Sequence, residues 1–178
     1  MIVLASRSPQ RRALLAALGV PFRVVVSRVG EGADAQVNAL AKARDVATRS
    51  GVPAGGAVLG ADTEVMVDGR ALGKPADRAA AAGMLRLLSG RDHEVHSAIA
   101  LVAEGRERQA LAVARVRVRE LSPAALDWYL DTGEWRERAG GYAIQGAGAA
   151  LVAGIDGDYL NVVGLPLARL LDLRPELL

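Results

Sequence analysis

Two hydrophobic periods alternate along this chain, and the switches between them mark out its elements. Ile2–Ala5 is a continuous apolar run that reads as a short buried strand. It breaks into Ser6-Arg7-Ser8, after which Leu14, Leu15 and Leu18 recur at helical spacing. Ser8 suits the N-cap of that helix, Pro9 its first turn and Gly19 its stop. Phe22–Val26 reads as a second strand, and Ser27–Gly32 as a loop whose glycines let the backbone turn and carry Glu31. From about Ala33 to Ser50 the period is helical, with Val37, Leu40, Ala41 and Val46 on one stripe and Lys42 at its edge.

Ala57–Ala61 is again apolar throughout, a strand buried on both faces that ends in Asp62-Thr63-Glu64. Val65–Val67 and Arg70–Leu72 flank Asp68-Gly69 as a small hairpin. The hairpin delivers Gly73-Lys74-Pro75. Asp77 opens a helix with Met84, Leu85 and Leu88 inward, closed by Ser89-Gly90. Two long strands follow, His93–Ala103 and Arg108–Arg119, joined by Glu104-Gly105-Arg106. The second alternates Ala112, Ala114, Val116 and Val118 with Val113, Arg115, Arg117 and Arg119, so one face is apolar and the other partly basic. Ser122-Pro123 opens a helix to about Asp131 that Gly133 stops. Residues 139–148 are glycine-rich without a P-loop lysine or a dinucleotide fingerprint. Close approach of backbone to a ligand and a strand with tight turns explain that passage equally well. Asn161-Val162-Val163-Gly164-Leu165-Pro166 leads into a last helix through Leu173.

Composition narrows what such a chain does. Its 178 residues suit one domain over 1–178, or two lobes sharing one core. A hydrophobic content of 51% supplies a core, and aromatics at 3% leave that core to Ala, Val and Leu. No apolar run approaches the ~18 residues of a membrane span, no secretory signal precedes the first strand, and no cysteine is present. The expectation is a soluble cytoplasmic protein with no membrane partner. A net charge of +2 and few aromatics for stacking argue against a nucleic-acid partner, despite the basic face of Arg115, Arg117 and Arg119. Of 22 basic residues only Lys42 and Lys74 are lysine. Ammonium and guanidinium differ in shape, hydration and reach, so those two positions stand out.

Charge placement gives the candidate chemistry. Arg11 and Arg12 lie in the first turn of a helix, where the dipole disfavours a cation, and Arg7 adds a third charge from the loop. With the hydroxyls of Ser6 and Ser8 they suit a polyanion site, the alternative being a solvated helix start in an arginine-rich protein. Arg7, Arg11, Arg12, Lys42 and Lys74 together suit a phosphate chain, and Glu31 and Asp62 offer hard oxygen ligands to a divalent metal. A water activated by that metal, with a carboxylate as general base, is the natural nucleophile. His93 and His96 are three apart on a strand and face opposite sides, which speaks against a zinc pair.

In order and spacing, several passages resemble the Maf family of nucleotide pyrophosphatases. They are Leu4–Pro9 with the arginines behind it, Leu40-Ala41-Lys42-Ala43, Gly60-Ala61-Asp62-Thr63, Gly73-Lys74-Pro75, Leu88-Ser89-Gly90 with His93, 139–146 and 161–166. The resemblance implies an α/β fold like that of the inosine triphosphate pyrophosphatases (the Maf/Ham1 fold): a long curved mixed sheet with flanking helices and two lobes around a cleft. It also implies hydrolysis of a nucleoside triphosphate to monophosphate and pyrophosphate with Mg²⁺ or Mn²⁺, in a cytoplasmic homodimer linked to septum formation. On these matches Asp62 looks like the general base and Glu31 like the acid that assists the metal, with both as its ligands and Lys74 beside them as a catalytic cation. Ser6, Ser8, Arg11, Arg12, Lys42 and Lys74 look like the phosphate-binding set. Thr63 and Gln145 look like specificity positions of the branch acting on dTTP and UTP. Gln10 fits neither that branch, which has arginine there, nor the 7-methyl-GTP branch, which has an aromatic. The rival class is a non-catalytic nucleotide-binding regulator of division, which would need the cations but not Asp62.

Overall fold

A computed structural model describes residues 1–177 apart from Ala33 and Glu104, so the expected helix start at Ala33 and the turn residue Glu104 lie outside the described residues. The element order is β1 (Ile2–Leu4), α1 (Pro9–Ala17), β2 (Phe22–Val24), α2 (Ala35–Ser50), β3 (Ala57–Val67), β4 (Arg70–Leu72), α3 (Arg78–Leu88), β5 (Asp92–Ala103), β6 (Arg106–Val118), α4 (Pro123–Thr132), β7 (Val152–Asp156), α5 (Tyr159–Val163) and α6 (Leu167–Leu173). The seven strands form a mixed sheet in the order β2-β1-β3-β5-β6-β7, with β4 paired to β3. β1 is parallel to β2 and β3, while the β3–β4 and β6–β7 pairs are antiparallel.

The residues fall into two compact units. The first comprises Met1–Thr63, Ser97–Ala112 and Gly164–Leu178; the second comprises Glu64–His96 and Val113–Val163. Strand alternation builds the first unit in three layers. Ile2, Leu4, Leu59, Ala61, Ile99 and Leu101 pack with Leu15 of α1 and Leu170 of α6. Their neighbours on the opposite pleat, Val3, Val58, Ala98 and Ala100, pack with Ala35, Ala39, Ala43 and Val46 of α2. The α2 contact is close because Gly60 faces it. A Cβ at residue 60 would run into the Ala39 carbonyl oxygen and lie 2.8 Å from the Ala43 nitrogen. Gly60 therefore sets how near α2 comes to β3.

In the second unit Val65, Val67, Val95, Val116 and Val118 pack with Leu85 and Leu88 of α3 and with Leu126, Tyr129 and Leu130 of α4. Local signals act as expected here. Ser122 caps α4 and Gly133 ends it in the left-handed region at φ 71°. Asp68 and Gly69, both at positive φ, make the hairpin turn.

Three expectations change. β3 does not end at Asp62: it runs on to Val67, which puts Asp62 in mid-strand. The buried face of α2 is Ala35, Asn38, Ala39, Lys42, Ala43 and Val46, whereas Val37 is 63% exposed. Lys42 is thus on the packed face and not at its edge. Small side chains fill the contact over Gly60, and the two polar ones meet a partner in β3. Finally, residues 139–151 form two 3-10 turns, Ala139–Gly141 and Gly146–Leu151, and not a strand. Their glycines meet protein. A Cβ at Gly140 would lie 2.9 Å from the Val65 side chain, and one at Gly148 would overlap the Ala143 carbonyl oxygen.

Candidate functional site

The first unit assembles most of the expected site from β1, α1, α2 and β3. Ser8 caps α1 by accepting from the Arg11 N–H at 3.3 Å, and its hydroxyl donates to Gln10 Oε1 at 3.2 Å. Ser6 Oγ accepts from the Ser8 N–H at 3.2 Å, which sets the turn from β1 into the helix.

Arg11 folds back into the protein. Its Nε donates to the Gly164 carbonyl at 2.9 Å, one terminal nitrogen to Ser6 Oγ at 3.2 Å and the Ala61 carbonyl at 2.9 Å, and the other to Thr63 Oγ1 at 3.1 Å. Four of its five N–H bonds are thereby engaged. Burial lowers the Arg11 pKa below the ordinary guanidinium value, opposed by the charges of Asp62 and Glu31. Arg7 and Arg12, by contrast, are exposed. The Thr63 hydroxyl shares a 2.8 Å hydrogen bond with Ser97 Oγ as well as receiving Arg11. The hydroxyl at this expected specificity position is therefore engaged within the unit.

The charged centre is Lys42. Its Nζ donates to Asp62 Oδ1 at 2.6 Å and to Glu31 Oε1 at 2.7 Å. The Lys42 and Asp62 side chains are 9% and 10% exposed, and the Glu31 side chain 46%. A buried carboxylate in mid-strand is costly unless paired, and Lys42 is the pairing. Asp62 Oδ2 accepts from the Asn38 amide at 2.9 Å. Asn38 is absent from the sequence-level set, although a signal for it exists. Asn is a poor residue for a helix interior, and it lies four positions before Lys42, one turn away on the same face. Gly164, named in the sequence only as part of the 161–166 passage, has a place in the site through its carbonyl, which receives Arg11.

Lys74 and Gln145 belong to the second unit. Lys74 Nζ lies 3.8 Å from Glu137 Oε2, and the adjoining Gly73 carbonyl accepts from the Gly140 N–H at 3.1 Å. Gln145 is exposed, on a passage held from both sides. Glu134 accepts from the N–H groups of Ala147 at 3.0 Å and Gly148 at 3.1 Å, and the Tyr129 hydroxyl accepts from Ala143 N–H at 3.0 Å.

His93 and His96 face opposite sides of β5, as alternation requires. His96 Nε2 is 2.8 Å from Glu94, and His93 Nε2 is 2.8 Å from the Tyr142 hydroxyl within the core. Burial brings the His93 pKa down to about 4, whereas the unfolded chain takes up that proton near 6.5. The titration of His93 therefore takes nothing from stability well above pH 6.5, and stability falls as pH drops from 6.5 to about 4, by about 3 kcal/mol in all. Urea unfolding at pH 7.5 and pH 4.5 checks this. His93→Gln should lose less stability between those two values than the parent, and an equal loss would refute the assignment.

A family model described as a Maf-like protein matches residues 1–176 of this chain. The chain belongs to the Maf family. Among its relatives, a dTTP/UTP pyrophosphatase of Moorella thermoacetica is 49% identical over 97% of this chain and 92% of its own length. One of Symbiobacterium thermophilum with the same name is 50% identical over 94% and 89%. Another, of Thermococcus onnurineus, is 44% identical over 98% and 96%. The solved structure of the Staphylococcus aureus Ham1 protein aligns with a TM-score of 0.52 at 14% identity, over 66% of this chain and 71% of that one. That likeness extends to the fold alone, and it agrees with the mixed sheet and flanking helices seen in this member of the Maf family.

Proposed function

We propose that the protein hydrolyses a nucleoside triphosphate, dTTP or UTP first of all, to the monophosphate and pyrophosphate, with Asp62 as general base. The observation that carries this is the triplet Glu31–Lys42–Asp62, a buried mid-strand carboxylate and a loop carboxylate sharing one ammonium. The names of the relatives support the substrates. In this reading Asp62 takes a proton from a water whose oxygen bonds to the α-phosphorus. The bond from that phosphorus to the bridging oxygen breaks, and pyrophosphate leaves with the electron pair.

The donor set fits a divalent metal of the Mg²⁺ or Mn²⁺ kind. Asp62 and Glu31 are hard oxygen donors close enough to share Lys42, and each carboxylate has about four acceptor sites. Among the described residues no third His, Cys, Asp or Glu completes a cage. Mg²⁺ does not need one, because substrate phosphates and waters fill its remaining positions. Bound there, the metal would neutralise phosphate charge and lower the pKa of a coordinated water.

Lys42 offers three N–H bonds and spends two on carboxylates, which leaves one for a phosphate oxygen. Arg11 likewise has one left and braces Ser6 and Thr63 as well, with Arg12 and Lys74 as the remaining cations of the phosphate set. Ser6 and Ser8 complete the phosphate set. Gln145 supplies an amide that both donates to and accepts from a base edge, with Gln10 and Thr63 as the further specificity positions. The active form in this reading is a cytoplasmic homodimer.

A nucleotide panel with Mg²⁺ or Mn²⁺, read as pyrophosphate and monophosphate released, tests the proposal. kcat/KM for dTTP and UTP should exceed that for GTP and ATP by about tenfold, the worth of one net hydrogen bond. Equal rates on GTP or ATP would refute the base preference. No turnover of any nucleotide would refute the reaction and favour the non-catalytic binder.

A further inference from the structure

Asn38 is 3% exposed, in the second turn of a helix whose start is fixed by Asp34, and its side chain makes three hydrogen bonds. Its Oδ1 accepts from the Gly32 N–H at 2.7 Å, and its Nδ2 donates to the Gly32 carbonyl at 2.9 Å. The amide thus pairs with the backbone of Gly32 as one strand pairs with another. That pairing also fixes which end of the amide is oxygen, because reversing it would set donor against donor and acceptor against acceptor. The remaining N–H is the one that reaches Asp62 Oδ2 at 2.9 Å.

One side chain therefore ties together two groups that the reaction needs held still. Gly32 follows Glu31 directly, so the pairing anchors the loop that carries the second carboxylate. The other end of that loop is pinned to the same helix, where the Arg28 N–H donates to Asp45 Oδ2 at 2.9 Å. The bond to Asp62 engages Oδ2, while Lys42 engages Oδ1. Asp62 is held at both oxygens, and both holds come from α2, one turn apart. A residue that served only to fill space or to close the loop would need no N–H directed at Asp62.

We propose that Asn38 is a positioning residue for the reaction, orienting the Asp62 carboxylate and fixing the Glu31 loop relative to it, so that both carboxylates are presented to the divalent cation in one arrangement. The inference rests on the reading of Asp62 and Glu31 given above. Partners of this kind, one step removed from the metal, are worth about 10- to 100-fold in affinity or rate.

Two substitutions separate this role from a structural one. Asn38→Ala removes all three hydrogen bonds. Asn38→Asp keeps the shape and still accepts from Gly32, but donates nothing to Asp62. For both, kcat on dTTP should fall about 10- to 100-fold with KM little changed, and the Mn²⁺ dissociation constant, read by water-proton relaxation without nucleotide, should rise in the same range. Asn38→Asp should be at least as impaired as Asn38→Ala. Parent-like kcat and Mn²⁺ affinity in both variants would overturn the proposal, as would an Asn38→Asp protein close to the parent beside a crippled Asn38→Ala. If the parent turns over no nucleotide, the proposed reaction fails, and the Mn²⁺ measurement alone still decides on Asn38. If neither variant folds, hydrogen exchange of the Gly32 amide in the unaltered protein decides: slowing by Mg²⁺ supports the coupling, and no change overturns it.

Discussion

Asp62→Asn should cut pyrophosphate release about 10²- to 10⁴-fold while leaving the protein folded. The rate loss is the usual worth of a general base, since the amide cannot take a proton from water. The fold should survive because asparagine has the shape of aspartate and Lys42 keeps Glu31 at 2.7 Å. A smaller stability loss accompanies it. Asp62 now accepts from Lys42 through one oxygen and from Asn38 through the other. The amide has a single oxygen, so one of those donors must face an NH₂ group instead. That leaves one buried donor unsatisfied, at about 1–3 kcal/mol. Circular dichroism and urea unfolding beside the pyrophosphate assay separate the two effects. Unchanged release from every nucleotide would show that Asp62 is not the base.

The second large effect is on stability. Lys42→Met removes the ammonium that two carboxylates share and leaves Asp62 buried without its direct counter-charge. Breaking a buried pair from one side costs about 3–5 kcal/mol. Asn38 still donates to Asp62 and the charge of Arg11 still acts on it, so the lower end, about 3 kcal/mol, is expected. Activity should be lost as well, because the same ammonium is a phosphate ligand in the proposed reaction. Lys42→Met combined with Asp62→Leu should recover part of the stability and none of the activity: a well-packed apolar pair replaces a buried ion pair at little cost, but the Asn38 N–H loses its acceptor, at about 1–3 kcal/mol. A Lys42→Met protein with the urea midpoint of the parent would mean that the pair contributes nothing to the fold.

Wherever the deciding physics is local, the sequence is readable. Ser8 and Pro9 start α1 through neighbours a few residues away, and Ser122 and Gly133 bound α4 in the same way. Alternation along β6 predicts its buried residues one by one, because a pleated strand leaves no other choice. The apolar stripe of α2 is not readable by the same means. Counting hydrophobic residues favours Val37, which is exposed, over Asn38 and Lys42, which are buried. The helix turns those two inward because Gly60 admits it close to β3 and Asp62 waits there with a charge to be paired. The same absence of local information cut β3 short. An acid looks like a strand end until its partner is known, and that partner lies 20 positions away.

By itself the sequence determined the α/β alternation, the caps and turns, and a set of cations and carboxylates of the kind that handles a metal–phosphate chain. Residue type and spacing suffice for these, since each follows from dihedral preference, period or charge. Only the tertiary structure decided how that set is wired. It made Lys42 the bridge between Glu31 and Asp62, bound most of Arg11 into the protein, and gave Asp62 the amide of Asn38. Hydrogen bonds between residues 20 or 50 positions apart are settled by which backbones pack together, and no short-range pattern in the chain records that.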